Sequence, residues 1–154
     1  MKNLIGEFDC KIDEKGRLKL PAPLLKQLGD GSSFTFVVNR GFENNLMMYP
    51  EVVWDTISGQ VDRLNQYVKK NREFVRYFYR GATKVETDTS ERILINKKLL
   101  EYASIEKEAV LFAYNDRIEI WSKDNYDSVM NEEPIDFSEL AEEVLGDVFK
   151  SDLP

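Results

Sequence analysis

Apolar and polar positions change period several times along this chain, and each change predicts an element. Residues 8–12 alternate weakly, a turn containing Gly16 follows, and Leu18 and Leu20 resume the alternation. That order predicts a β-hairpin with Asp13 and Arg17 at the two sides of its tip. Pro21-Ala22-Pro23 then leads into Leu24-Leu25-Lys26-Gln27-Leu28, and Gly29 follows. Proline in the first turn and glycine past the last bracket a short helix. Residues 33–39 are rich in β-branched and aromatic side chains and read as a strand; 40–45 form a loop, 46–49 the returning strand, and a longer helix starts near Glu51. Val61, Leu64, Val68, Val75 and Phe78 recur at threes, fours and sevens, an amphipathic stripe that predicts a helix or helix pair broken near Asn71. Lys69, Arg72, Arg76 and Arg80 lie on another face. Residues 109–114 and 117–121 flank Asn115-Asp116 as a second hairpin, and 137–149 form a terminal helix with an acidic face, with Ser138 as its expected N-cap.

The same order of elements occurs twice. Asp13-Glu14-Lys15-Gly16-Arg17-Leu18-Lys19-Leu20-Pro21 returns as Asp88-Thr89-Ser90-Glu91-Arg92-Ile93-Leu94-Ile95-Asn96, at a constant offset of 75 residues. Leu24 and Leu25 match Leu99 and Leu100 at that offset. After a three-residue deletion in the second copy, Leu46-Met47-Met48-Tyr49 aligns with Ile118-Glu119-Ile120-Trp121, and Trp54-Asp55 with Tyr126-Asp127. An ordered series of this kind is the mark of an internal duplication. It divides the chain into a first unit (5–56), a connecting helical segment (57–80), a second unit (81–130) and an acidic C-terminal tail (131–154). A unit of about 75 residues is small for independent stability, so the halves are expected to share one core or to oligomerise.

Composition narrows the chemistry. Apolar residues make up 42% of the 154 positions, enough for a real core, and no apolar run approaches the length of a membrane span. The N-terminus lacks the apolar stretch of a signal peptide, and the single Cys10 forbids an internal disulfide; together these lead us to expect a cytoplasmic protein. The net charge of −7 resides in the tail, where Lys150 stands against eight acids in 131–154. The remainder is neutral, and within it 63–98 carries ten basic residues against four acidic ones. A locally basic body with an acidic tail is compatible with DNA binding. Histidine is absent, which removes Ser–His and Cys–His catalysis and imidazole ligation of metals. One cysteine cannot build a zinc site, and Gly29-Asp30-Gly31 lacks the residues of a phosphate loop. No enzyme activity, cofactor or metal is therefore expected.

The two Asp-x-x-x-Arg tips remain. One reading is purely local: the aspartate accepts backbone N–H groups and pairs with the arginine to close a turn. The other is functional: an exposed arginine held by a carboxylate is pre-oriented toward phosphate or guanine. Lys11, Lys15 and Lys19 add positive charge to the first tip. The aromatic residues Phe74, Tyr77, Phe78 and Tyr79 read as core or subunit-interface groups, Trp54 and Trp121 as core anchors, and Cys10 as a small packed residue.

At these residues the chain resembles the MraZ family of bacterial transcriptional regulators of the division and cell-wall gene cluster. The resemblance rests on Gly6-Glu7-Phe8 followed by Ile12-Asp13-Glu14-Lys15-Gly16-Arg17-Leu18-x-Leu20-Pro21-Ala22, on Asp88-x-x-x-Arg92-Ile93, and on Asn115-Asp116-Arg117-Ile118-Glu119-Ile120-Trp121; it covers about 5–130. The first motif is shared with the wider AbrB-like DNA-binding superfamily. The resemblance implies an α+β, mainly β fold in which two tandem swapped-hairpin AbrB-like units form one pseudo-twofold β-barrel with flanking helices. It implies homo-oligomeric rings, nucleoid association, and binding to short G-rich direct repeats of double-stranded promoter DNA through the Asp-x-x-x-Arg loops. Carried over, the DNA-binding residues are Asp13, Lys15, Arg17, Asp88 and Arg92, to which the charge of the first tip adds Lys19. No membrane and no small-molecule substrate is implied. Two positions depart from the pattern: Glu91 stands where Gly16 stands in the first copy, and Asn96 where Pro21 does. Glu91 is expected to deny the second loop a positive φ and to weaken its contact with DNA. Competing readings are an AbrB-like antitoxin or transition-state regulator, and a ring-forming interaction protein that does not bind DNA.

Overall fold

The computed structural model describes residues 3–132 and 136–152, a mixed α/β arrangement with one large antiparallel sheet and six helices. The first half runs β1 (Leu4–Lys11), β2 (Arg17–Lys19), α1 (Ala22–Leu28), β3 (Thr35–Arg40), β4 (Leu46–Pro50), α2 (Glu51–Asp62) and α3 (Lys69–Tyr79). The second runs β5 (Thr83–Glu86), β6 (Arg92–Leu94), α4 (Lys97–Tyr102), β7 (Glu108–Asn115), β8 (Arg117–Ser122), α5 (Lys123–Asn131) and α6 (Phe137–Asp152).

Six strands form the large sheet in the order β1-β7-β8-β4-β3-β5. The halves meet at its centre, where Leu46 faces Ile120 and Met48 faces Ile118. The first strand of each half lies on the hairpin of the other: β1 pairs with β7 from Leu4↔Asn115 to Lys11↔Glu108, and β5 pairs with β3 from Thr35↔Glu86 to Val38↔Thr83. Among the described residues the short strands β2 and β6 form a ladder only with each other, with Leu18 opposite Ile93.

Three expectations need correction. Residues on the two sides of Asp13–Arg17 do not form a hairpin ladder: a single bridge, Ile12↔Leu18, joins them, because β2 takes β6 as its partner. No closed barrel is found among the described residues; the sheet ends at β1 and β5. At the β1 edge the backbone of Ile5 is taken by the Gln27 amide, which accepts from its N–H at 2.8 Å and donates to its carbonyl at 2.9 Å. That clasp covers the sheet edge at this one residue. Finally, the helix break falls between α2 and α3, at 63–68, rather than near Asn71. There Asn65 Oδ1 accepts from the Tyr67 N–H at 3.0 Å, and Asn71 donates back to the Asn65 carbonyl at 3.0 Å.

Alternation along the strands divides the apolar residues between the faces of the sheet. Leu46, Met48, Leu111, Ile118 and Ile120 belong to the main core, together with Leu18, Ile93, Leu24 and Leu99. Met47 and Tyr49 point the other way, onto Val53 and Trp54 of α2, and Val110 and Trp121 onto Tyr126 of α5. Trp121 is a buried anchor, as expected, whereas Trp54 is half-buried and stacks on Phe78 of α3 with the ring planes 2° apart. α5 lies outside the elements that the sequence predicts; Ser122 caps it, accepting from the Asn125 N–H at 3.0 Å. α6 is capped by Asp136, whose carboxylate accepts from the Glu139 N–H at 3.1 Å, two residues before the expected Ser138.

Candidate nucleic-acid interface

The two Asp-x-x-x-Arg loops have the same construction. In the first, Asp13 Oδ1 accepts from the backbone N–H groups of Lys15 and Arg17, each at 2.9 Å, and Asp13 Oδ2 accepts from Arg17 Nε at 2.7 Å. In the second, Asp88 Oδ1 accepts from Ser90 and Arg92 N–H at 2.9 Å and Asp88 Oδ2 from Arg92 Nε at 2.9 Å. The arginine side chain is 32% exposed in both, so the two loops present it alike. Hydrogen bonds from the arginine backbone, foremost, hold both aspartates below the usual carboxylate value of 3.8; the guanidinium adds to this. The carboxylates stay ionised at neutral pH and fix each guanidinium through Nε. A guanidinium held at Nε keeps the fork of its two terminal amino groups for phosphate or the guanine edge.

Gly16 and Glu91 both have positive φ, 87° and 63°. The expectation that Glu91 denies the loop this conformation is therefore wrong: the second loop shifts φ into the left-handed helical well, where an L residue fits at a cost of about 1–2 kcal/mol. At Gly16 a Cβ would lie 2.6 Å from the Ile95 carbonyl oxygen, so that copy needs glycine. Each loop is also tied to the other copy: Ile95 N–H donates to the Gly16 carbonyl and Leu20 N–H to the Glu91 carbonyl, both at 2.9 Å. The helix-leading position changes hands with little loss, since Asn96 caps α4 by accepting from Leu99 N–H at 2.9 Å.

Pairing of β2 with β6 brings the predicted residues together. Leu18 and Ile93 are buried beneath the ribbon, and Arg17, Lys19, Arg92 and Leu94 lie on its outer side. In register, Lys19 stands opposite Arg92 and Arg17 opposite Leu94. Asp13 and Asp88 are paired with their arginines, and the exposed Lys15 extends the first loop. Lys11 is not part of this face; it pairs with Glu108 in the β1–β7 ladder. Three cations on a two-residue-wide outer face have the width of an element that fits the DNA major groove. The two tips are not equivalent in charge: where the first has Lys15 and Lys19, the second has Ser90 and Leu94. The juxtaposition of Lys19 with Arg92 was not visible in the sequence, because nothing in a three-residue strand names its partner. Among the described residues no group of three or more carboxylates and thiols could hold a metal, and no helix is long and apolar enough to cross a membrane.

A family model described as "MraZ protein, putative antitoxin-like" matches the chain twice, at residues 4–77 and 78–148. The chain belongs to the MraZ family. It is 44% identical over 147 residues to a protein of Christiangramia forsetii named Transcriptional regulator MraZ, covering 95% of each. Proteins with the same name from Flavobacterium psychrophilum (42% over 149 residues, 96% of this chain and 95% of the relative) and Desulforamulus reducens (38% over 141 residues, 92% and 96%) are similar along nearly their whole lengths.

Proposed function

We propose that the chain is a sequence-specific DNA-binding transcriptional regulator. It reads short direct repeats upstream of its own division and cell-wall operon through the outer face of the β2–β6 ribbon. The observation that carries this reading is the convergence of Arg17, Lys19 and Arg92 on one ribbon, with two of the three held by carboxylates. The names of the relatives support the regulatory role. In this reading the exchange of β1 and β5 between halves is the tandem swapped-hairpin arrangement, and the protein works in the cytoplasm on nucleoid DNA. Arg17 is the principal reader and Arg92 a weaker one, since Glu91 places a negative charge beside it.

One ribbon supplies few contacts, so affinity comes from several subunits engaging several repeats at high effective concentration. A gel-shift titration with DNA from upstream of the gene, scrambled DNA, and probes with one or three repeats tests both parts. Arg17→Ala is expected to lower specific affinity about 5- to 150-fold, the equivalent of about 1–3 kcal/mol for a lost guanine contact. Arg92→Ala should cost less. Three repeats should bind far more tightly than one, and increasingly so at low salt. Unchanged promoter affinity in Arg17→Ala removes that residue from the site. Indifference between promoter and scrambled DNA at moderate salt favours the interaction-protein reading instead. The family description also carries an antitoxin-like reading, which a toxin encoded beside this gene and neutralised by the chain would support.

A further inference from the structure

Outside the ribbon, cations collect at one place with no carboxylate among them. A cavity of about 620 Å³ lies where the end of β3 meets the start of α4, and Arg40, Arg80, Lys97 and Lys98 line it together with Asn96 and Tyr102. No acidic residue lines it. Among the described residues none of these four cations makes an ion pair. Like charges gathered in this way repel one another unless an anion joins them. None of the four belongs to the β2–β6 ribbon, so DNA reading by the ribbon leaves this charge unexplained.

The central cation is fixed in place. Arg40 Nε donates to the Arg80 carbonyl at 3.1 Å and Nη2 to the Tyr77 carbonyl at 3.2 Å, while Nη1 makes no hydrogen bond among the described residues. The guanidinium lies 5.1 Å from the centre of the Tyr102 ring, and the Tyr102 hydroxyl donates to the Gly41 carbonyl at 2.9 Å. Gly81, at φ 91°, leaves room for this arrangement: a Cβ there would lie 3.1 Å from Leu99 Cδ2 and 3.4 Å from Arg40 Cγ. Arg40 and Tyr102 also border a second cavity of about 340 Å³, which is lined by Phe42, Met47, Phe74 and Tyr77 and again by no acidic residue. Phe42 is 90% exposed there, an aromatic ring left in water beside a cationic pocket. Both cavities have the size of small-molecule sites, about 300–1,000 Å³.

We propose that these joined cavities bind a free nucleotide, its phosphates on Arg40, Arg80, Lys97 and Lys98 and its base on the aromatic side of Arg40. Guanidinium and ammonium groups together suit phosphate oxygens, and a diphosphate carries enough charge to answer several cations at once. The base is selected by the second cavity, because every base has a face that stacks on tyrosine or phenylalanine. Inorganic phosphate would fill the first cavity and leave the second empty. A DNA duplex offers phosphates but keeps its bases stacked inside, so it too would meet only one half of the site. Binding is reversible and involves no covalent step. The proposal does not depend on the ribbon reading DNA.

The test is calorimetric titration of the full-length chain with ADP, pyrophosphate and adenosine. ADP should bind saturably at one site per chain and about tenfold more tightly than pyrophosphate, with adenosine weaker than either. Lys97→Ala with Lys98→Ala should weaken both ADP and pyrophosphate by about tenfold, whereas Phe42→Ala should weaken ADP alone. Lys26→Ala with Lys70→Ala removes the same charge from residues that line neither cavity, and should change nothing. Every substituted side chain is exposed, and circular dichroism checks that each variant folds. Absence of saturable ADP binding overturns the proposal, as does an equal loss in the Lys26 and Lys70 variant, which would make the attraction one of diffuse charge. Pyrophosphate that binds as tightly as ADP reduces the site to an anion site and overturns the nucleotide. A single-stranded thymidine oligonucleotide that binds more tightly than ADP, with the same losses in both groove variants, assigns the cavities to a nucleic-acid strand instead and overturns the free ligand. No variant alters the ribbon, so failure here leaves its function untouched.

Discussion

The Asp-x-x-x-Arg loop was legible as a turn because its bonds are local: one carboxylate closes on N–H groups two and four residues later. Its second copy was misjudged at one residue. Position 91 tolerates glutamate because the loop relaxes to φ 63°, a shift no sequence pattern records. The left-handed conformation still has a cost, so Glu91→Gly should raise stability by about 1 kcal/mol. Denaturant unfolding that moves the other way would mean that the Glu91 side chain makes a compensating contact. The two aspartates also set an acid limit. Their pKa values are lowered in the folded state by the backbone and guanidinium hydrogen bonds. Their contribution to stability is therefore complete above the unfolded value near 3.8 and is lost as pH falls through the lower folded values. Replacing Asp13 and Asp88 by Asn should flatten the acid limb of a stability–pH curve and leave its slope near neutrality alone. Cys10 needs no role beyond packing: burial raises its thiol to about 11, so it is inert at neutral pH.

At the scale of elements, the short helices followed from their punctuation, and α1 lies between Pro21 and Gly29 as the residues indicate. The α2–α3 junction did not, because the apolar stripe continues through it at helical spacing while Asn65 and Asn71 turn the backbone. What holds α3 is also invisible in periodicity. Besides the Trp54 and Phe78 rings, the buried Asn39 donates to the Phe78 carbonyl at 2.6 Å and accepts from the Arg40 N–H at 2.8 Å. Tyr79 donates its hydroxyl to Asp62 at 2.6 Å, tying α3 to α2. Asn39→Ala leaves the half-buried Phe78 carbonyl and Arg40 N–H without these partners, a loss of about 1 kcal/mol. Amide exchange should then quicken in α3 and β3 while β7 and β8 keep their protection; uniform quickening throughout would show that α3 is not a separable unit.

The whole molecule is one structure because its halves trade strands. Neither β1 nor β5 has a ladder within its own half. Leu18 and Ile93, both fully buried, meet where the two copies cross. Cutting the chain in the exposed 63–68 connection should give two fragments that do not fold as monomers but form the native fold when mixed in equal amounts. Two dispersed, independently folded NMR spectra before mixing would refute the shared core. The duplication, the turn chemistry, the caps of α1 and the identity of the charged tips are set by interactions within four or five residues, and so are written in the chain order. Strand partners are not: alternation says which face a residue takes but carries no label for the neighbour. The register that sets Lys19 against Arg92, the Gln27 clasp on the sheet edge at Ile5 and the bond from Arg40 to the Arg80 carbonyl exist only once distant segments compete for the same hydrogen bonds and the same core. Tertiary structure makes that choice because burial and backbone pairing are satisfied across the molecule as a whole.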